Sequence, residues 1–299
     1  MMPQHRHSQS GFTLIEMTIV LIVMGLIMLT VLPALTALRS GSQRSLTEAN
    51  LHALMTATAV YVQTNGCVPC PMPAAATGNG FGRVRGDGSV SPASCNGCAV
   101  PEGIPPFASL GLPSATAHDG GGHWITMRVD PALTVLPANP ANCATTNSCS
   151  NFIPPEAPCL STPDITNGVC TSAQIGFADK GLCRSGINST NRIVIQVPGG
   201  GSQQAAVIFV SHGLNGYGSF AASPLLSASN NNGAQIPFPA SYATCAAGNY
   251  ARCNAADTLQ FVDAPSVATG SNPYDDTLLY ADRNILVSML GNGSCQTVW

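Results

Sequence analysis

The chain has 299 residues, enough for one large domain or two small ones. Only 8% of them are charged, against roughly 25% in an ordinary soluble domain, and the net charge is -3. Without a basic face to neutralise phosphates, nucleic acid has no electrostatic hold on such a surface, apart from a small basic patch near Arg83 and Arg85. Twelve cysteines, at Cys67, Cys70, Cys95, Cys98, Cys143, Cys149, Cys159, Cys170, Cys183, Cys245, Cys253 and Cys295, point instead to an oxidising compartment. Disulfides there restrict the unfolded chain and so support a domain rich in glycine and proline.

The first element is an apolar run from Met17 to Leu38 with no charged residue, long enough for a helix that crosses a bilayer. A secretory signal peptide would place its cleavage site at the far end, where Leu35-Thr36-Ala37 has small residues. A plain membrane anchor satisfies the length alone. Neither explains Gly11 at the start of the run or Glu16 inside it. A carboxylate at membrane depth costs about 2.5–3.5 kcal/mol on insertion scales, so Glu16 calls for a partner.

Gly11-Phe12-Thr13-Leu14-Ile15-Glu16 resembles the processing sequence of the type IV prepilin family: a short polar leader ending in Gly, an aromatic residue, apolar residues and Glu. The resemblance implies that a prepilin peptidase cuts between Gly11 and Phe12 and methylates the new amine. The hydrophobic helix then stays with the mature protein, and Glu16 pairs with the cationic Phe12 amine of a neighbouring subunit. An opposite charge is what stabilises a buried carboxylate. The implied partners are other pilins or pseudopilins, an inner-membrane assembly platform and its cytoplasmic ATPase. The implied location is the bacterial inner membrane, crossed once, with the head in the periplasm and passing into a periplasmic or extracellular filament. Lys and Arg counts do not set that orientation, since Arg6 precedes the span while Arg39 and Arg44 follow it. The cysteines and the processing sequence decide it.

The expected organisation is a leader over 1–11, a membrane half of the helix over 12–38, a periplasmic half over 39–64, and a head over 65–299. Gly25 and Pro33 interrupt the helix, proline costing about 3 kcal/mol inside one. In related pilins the stretch between such residues can unwind in the filament, and a simple kink is the alternative. Beyond the membrane, Leu46, Leu51, Leu54, Ala57, Val60 and Tyr61 are expected on one buried face, with Gly66 as the stop. From 12 to 64 such a helix spans about 80 Å at 1.5 Å per residue.

In the head, 124–129, 192–197, 205–211 and 259–262 have the β-branched and aromatic content of strands. A weaker strand over 277–280 precedes a short helix over 283–290. Segments near 137–191 and 219–254 read as disulfide-rich insertions. The fold class is α+β: a long N-terminal hydrophobic helix packed on an antiparallel sheet, as in pilins. Short phrases of the head also resemble large pilin-like proteins, among them Cys70-Pro71, Asp119-Gly120, Val210-Ser211-His212-Gly213 with Asn215-Gly216, and Asp275-Asp276.

Several groups invite chemistry. Cys67-x2-Cys70 and Cys95-x2-Cys98 could form a four-thiolate zinc site, but an oxidising compartment favours bridges between the pairs. Cys143–Cys149 and Cys245–Cys253 are further short-range pairs. Ser211 after an apolar strand suggests a nucleophile elbow, yet residue 209 is Phe where that turn needs Gly, which favours a structural turn. Glycines 213, 216 and 218 would permit positive φ there. His118, Asp119 and His123 could be drawn as a metal site, against a plain turn. Asp275, Asp276 and Asp282 could hold calcium, which some pseudopilins bind, against a turn and a helix cap. No cofactor is expected. The leading reading is a non-enzymatic minor or tip subunit of a type IV pilus, competence filament or type II secretion pseudopilus. Its rivals are a membrane-anchored periplasmic hydrolase using Ser211 and a tip adhesin or DNA-uptake pilin.

Overall fold

The structure is a computed structural model, and it describes residues 14–65, 67–84, 97–134, 193–223, 233–242, 244–246, 249–255, 259–267 and 273–289. Gly11, Phe12, Gly66, Arg85, Cys95, Cys143, Cys149, Cys159, Cys170, Cys183 and Cys295 lie outside them, as does the segment 137–191. The chain divides into two units, Met1–Ser45 and Leu46–Trp299.

A single helix, α1 (Leu14–Asn65), accounts for the described part of the first unit and opens the second. Its backbone is helical through both Gly25 and Pro33. At Gly25 an added Cβ would meet nothing within 4 Å, so this glycine is not required by a close contact in the single subunit. From Leu14 to Leu29 every side chain is exposed, including Leu14 at 84% and Leu29 at 73%. Among the described residues no helix is long and apolar enough to cross a membrane.

In the second unit α1 becomes one-sided. Thr47, Leu51, Leu54, Met55, Thr58, Ala59 and Val62 are buried, at the three- and four-residue spacing that puts them on one face. The expected face is corrected here. Leu46 and Val60 are 52% and 47% exposed, because at about 100° per residue they and Ala57 fall on a different stripe from Leu51, Leu54 and Tyr61.

Among the described residues seven strands follow: β1 (Glu102–Gly103), β2 (Thr126–Val129), β3 (Ile193–Gln196), β4 (Ser202–Ala205), β5 (Val207–Ser211), β6 (Gln260–Val262) and β7 (Thr277–Ala281). They form two sheets rather than the expected one: β1-β2-β5-β7, all antiparallel, and β4-β3-β6, in which β3 and β6 run parallel. Two short α-helices, α2 (Tyr250–Asn254) and α3 (Arg283–Ser288), and four 3-10 turns complete the described elements.

β5 explains the architecture. All five of its residues are buried, since the strand is covered on both faces. Val207 and Phe209 pack with Leu51, Leu54, Met55 and Val62 of α1, with Met127 of β2 and with Ile125 just before it. Ile208 and Val210 point the other way, onto Ile193, Ile195 and Phe261 of the second sheet. A strand buried on both sides reads as an unbroken apolar run, as Val207-Ile208-Phe209-Val210 does. Each such side chain, fully removed from water, contributes about 1.5–3 kcal/mol. Only Ala206 separates β4 from β5, yet the two strands belong to different sheets. Its amide donates to the Ala281 carbonyl and its carbonyl accepts from the Asp130 amide, both 2.9 Å or shorter. The chain thus changes sheets at a buried corner with its backbone groups satisfied.

Candidate functional site

Two polar clusters hold the loops of the head. The first surrounds Asp119, 4% exposed, in the loop between α1's partner segment 114–118 and β2. Its Oδ1 accepts the amides of Gly121 and His123, each at 2.9 Å, and its Oδ2 accepts the Ser211 hydroxyl at 2.9 Å. The same loop is tied to α1, where Thr47 Oγ1 accepts the Gly120 amide and Asn50 Nδ2 donates to the carbonyls of Ala115 and His118. Beyond Ser211 the chain turns through Gly213 and Gly216, both at φ 65°. A Cβ on Gly213 would collide with the Asp275 carboxyl, and one on Gly216 with the His123 ring. Asp275 in turn accepts from the Leu214 amide at 2.8 Å and from Asn215 Nδ2 at 2.6 Å. Hydrogen bonds at 118–121 and 211–215, joined by the backbone between them, therefore link α1 through the Asp119 loop and Ser211 to Asp275 before β7.

This geometry gives Ser211 and the histidines definite roles. Ser211 is 1% exposed, its hydroxyl donates to a carboxylate and accepts the Gly213 amide, and neither His123 nor His212 bonds to it. His212 is wholly buried with Nε2 2.9 Å from Thr126 Oγ1, while its Nδ1 has no hydrogen-bond partner. Burial, reinforced by the charge of His123, lowers its pKa to about 3 and keeps the imidazole neutral. A nucleophilic serine needs a base within reach and an approach for substrate, and Ser211 has neither arrangement. His118 lies instead against Trp124, ring centroids 3.7 Å apart, and His123 Nδ1 meets the Gly213 carbonyl. Among the described residues no group of three His, Cys, Asp or Glu side chains could hold a metal ion.

The second cluster centres on Asn254, at the end of α2. Its Nδ2 donates to the Val262 carbonyl, to Tyr274 Oη and to Asp276 Oδ2, and its Oδ1 accepts the Val262 amide. Asp276 is 7% exposed and its Oδ1 has no partner. Burial raises its pKa to about 8, with the Asn254 hydrogen bond opposing and the Asp275 charge adding to the rise. The three acids drawn together in sequence thus separate: Asp275 grips the 214–215 turn, Asp276 faces Asn254, and Asp282 caps α3 by accepting the Ile285 amide at 2.7 Å.

Two disulfides join described residues, Cys70–Cys98 across 28 positions and Cys245–Cys253 across 8. Cys67 is disulfide-bonded as well. Thr47, Asn50, Asn254 and Tyr274 were not singled out from the sequence. Thr47 and Asn50 carry a weak signal, because polar residues continue the spacing of Leu51 and Leu54 on a buried helix face. Asn254 and Tyr274 carry none.

Glu16, by contrast, is exposed on the first turn of α1, within the apolar surface that runs to Leu29. A family model described as the prokaryotic N-terminal methylation motif matches residues 6–32, which include Gly11, Phe12 and Glu16. No curated protein and no solved structure matches the chain. The matched motif is the hallmark of type IV prepilins and pseudopilins, substrates of prepilin peptidase that assemble with other pilins and are held at a membrane beforehand.

Proposed function

We propose that this chain is a non-enzymatic minor or tip subunit of a type IV pilus or type II secretion pseudopilus. The single observation that carries the reading is the methylation motif over 6–32, continuing into a helix whose described side chains are exposed and mostly apolar as far as Leu29. Prepilin peptidase removes residues 1–11, and Phe12 becomes the methylated N-terminus. The subunit waits in the inner membrane, crossing it once through 12–38 with its head in the periplasm, until an assembly platform and its ATPase draw it into the filament.

Physical chemistry gives each part a task. An apolar helix surface exposed all round needs lipid or other helices to cover it. Glu16 within that surface is stabilised by the cationic Phe12 amine of a neighbour, which fixes the axial register as subunits add. Gly25 and Pro33 weaken the helix at two points, so unwinding between them on assembly is part of the proposal; neighbouring groups would then take up the freed carbonyls. A head with long loops and few charges suits a subunit that meets other proteins at a filament end better than one packed at every step of the shaft. The buried Ser211 hydroxyl supports the non-enzymatic reading over the hydrolase.

The test is incorporation. Glu16→Ala should leave the head folded and leader removal intact while the chain disappears from sheared or affinity-purified filaments. Undiminished incorporation of that variant would remove Glu16 from the mechanism. A filament in which this chain outnumbers every other pilin would overturn the minor or tip assignment.

A further inference from the structure

The two described bridges sit in different surroundings. Cys70 is 2% exposed, and its half-buried partner Cys98 packs against the main core. Cys245 is exposed while Cys253 is 2% exposed, and both line a cavity of about 580 Å3. The other walls are Gln196, the 197–201 turn between β3 and β4, Tyr250 and Val262, and no lining residue carries a charge. At Gly199 and Gly201, which line the cavity, an added Cβ would meet nothing within 4 Å. A volume of this size admits a peptide-borne side chain.

We infer that Cys245–Cys253 is a thiol–disulfide exchange site, opened by a thiolate that enters this cavity while Cys70–Cys98 stays closed. Exchange requires a thiolate to reach one sulfur and displace the other, so access decides which bridge reacts. The incoming thiolate attacks the exposed Cys245 Sγ and forms a mixed disulfide. The bonding electron pair passes to Cys253 Sγ, which leaves as a thiolate and takes a proton from water. Its thiol then has the Asn249 carbonyl as acceptor at 3.8 Å. The second thiol of the attacking dithiol resolves the mixed disulfide, so the bridge gains two electrons and the dithiol becomes a disulfide. Cys253 immediately precedes Asn254, whose side chain links Val262, Tyr274 and Asp276. Opening the bridge therefore releases α2 and the end of β6 without touching β2 or β5.

The experiment uses the full chain in detergent micelles, treated with graded dithiothreitol in one arm and with a thioredoxin-type protein dithiol in the other. Thiols are then blocked and the two cysteine pairs quantified by peptide mass spectrometry. The expected result is half-opening of Cys245–Cys253 at a reductant concentration at least ten-fold below that for Cys70–Cys98. Amide exchange should accelerate over 250–254 and 260–262 but not over 126–129 or 207–211. Selectivity in the small-dithiol arm identifies a free thiol as a sufficient attacker; selectivity confined to the protein arm identifies a docked one. Joint opening of the two bridges, or earlier opening of Cys70–Cys98, in both arms overturns the inference.

Discussion

The two halves of α1 are made of similar apolar residues and present them differently. From Leu14 to Leu29 apolar side chains occupy all sides of the helix and every described one is exposed. From Thr47 to Val62 the buried side chains share one face, packed against β2 and β5, while Val60 on another stripe is 47% exposed. Hydrophobicity alone therefore does not say where a helix belongs; its angular distribution does. The second half is part of a folded core, whereas the first half has surface to offer to something outside the chain. The polar residues Thr47 and Asn50 mark the half that is fastened to its own head, while Glu16 stands exposed on the other half.

That contrast can be broken by substitution. Leu54→Ala should destabilise the head by about 2–5 kcal/mol, since a wholly buried leucine leaves a cavity behind. Ile22→Ala, at a position 64% exposed, should leave the head's melting transition unchanged. Thermal unfolding of the full chain in detergent, followed by near-UV circular dichroism, distinguishes them; equal losses would mean that the two halves are not energetically separate.

The second half also depends on the Asp119 cluster that fastens its loop to β5. Asp119→Ala strands the Ser211 hydroxyl and two amides and should cost about 3 kcal/mol, the scale of buried bonds to a charged group. Ser211→Ala removes one of those bonds and should cost about half as much, ~1.5 kcal/mol. Chemical denaturation midpoints read both. A Ser211 variant as damaging as the Asp119 variant would show that the hydroxyl, not the carboxylate, organises the loop.

A smaller effect follows from pH. In the unfolded chain Asp276 loses its proton near 3.8, in the folded head near 8, so its stabilising contribution is full below pH ~4 and is lost as pH rises to ~8. His212 works in the opposite sense: its ordinary value of 6.5 falls to about 3, so stability is full above pH ~6.5 and declines on acidification. Between pH ~4 and ~6.5 the two one-proton slopes oppose each other, and above ~6.5 the Asp276 slope acts alone among this pair. Asp263 and Asp275, also raised by burial, add to the fall toward higher pH. Stability should thus decline between pH 6.5 and 8, and Asp276→Asn should flatten that decline. An unchanged slope in the variant would place the titrating group elsewhere.

Much of this was legible in the sequence where one local rule sufficed. Val207-Ile208-Phe209-Val210 announces a buried strand, Asp282 announces a cap, and Gly11 to Glu16 announces a processing signal. The α+β class followed from such segments. The second sheet did not, because the residues of 202–211 look continuous and the change of sheet at Ala206 depends on Ala281 and Asp130, far along the chain. The helix face was misread for a different reason: Leu46, Ala57 and Val60 are apolar, but the advance of about 100° per residue, itself legible in the sequence, sets them on a stripe apart from Leu51 and Leu54. The Asp119–Ser211 bond joins residues 92 positions apart and leaves no local trace.

The central claim concerns how the first half of α1 begins. Mass spectrometry of the mature chain, recovered from cells with its native processing enzyme, reads that N-terminus directly. The account predicts a chain that starts at Phe12 and carries one methyl group on its amine. A chain starting near Leu38, or one that keeps residues 1–11 in the presence of active prepilin peptidase, would contradict it.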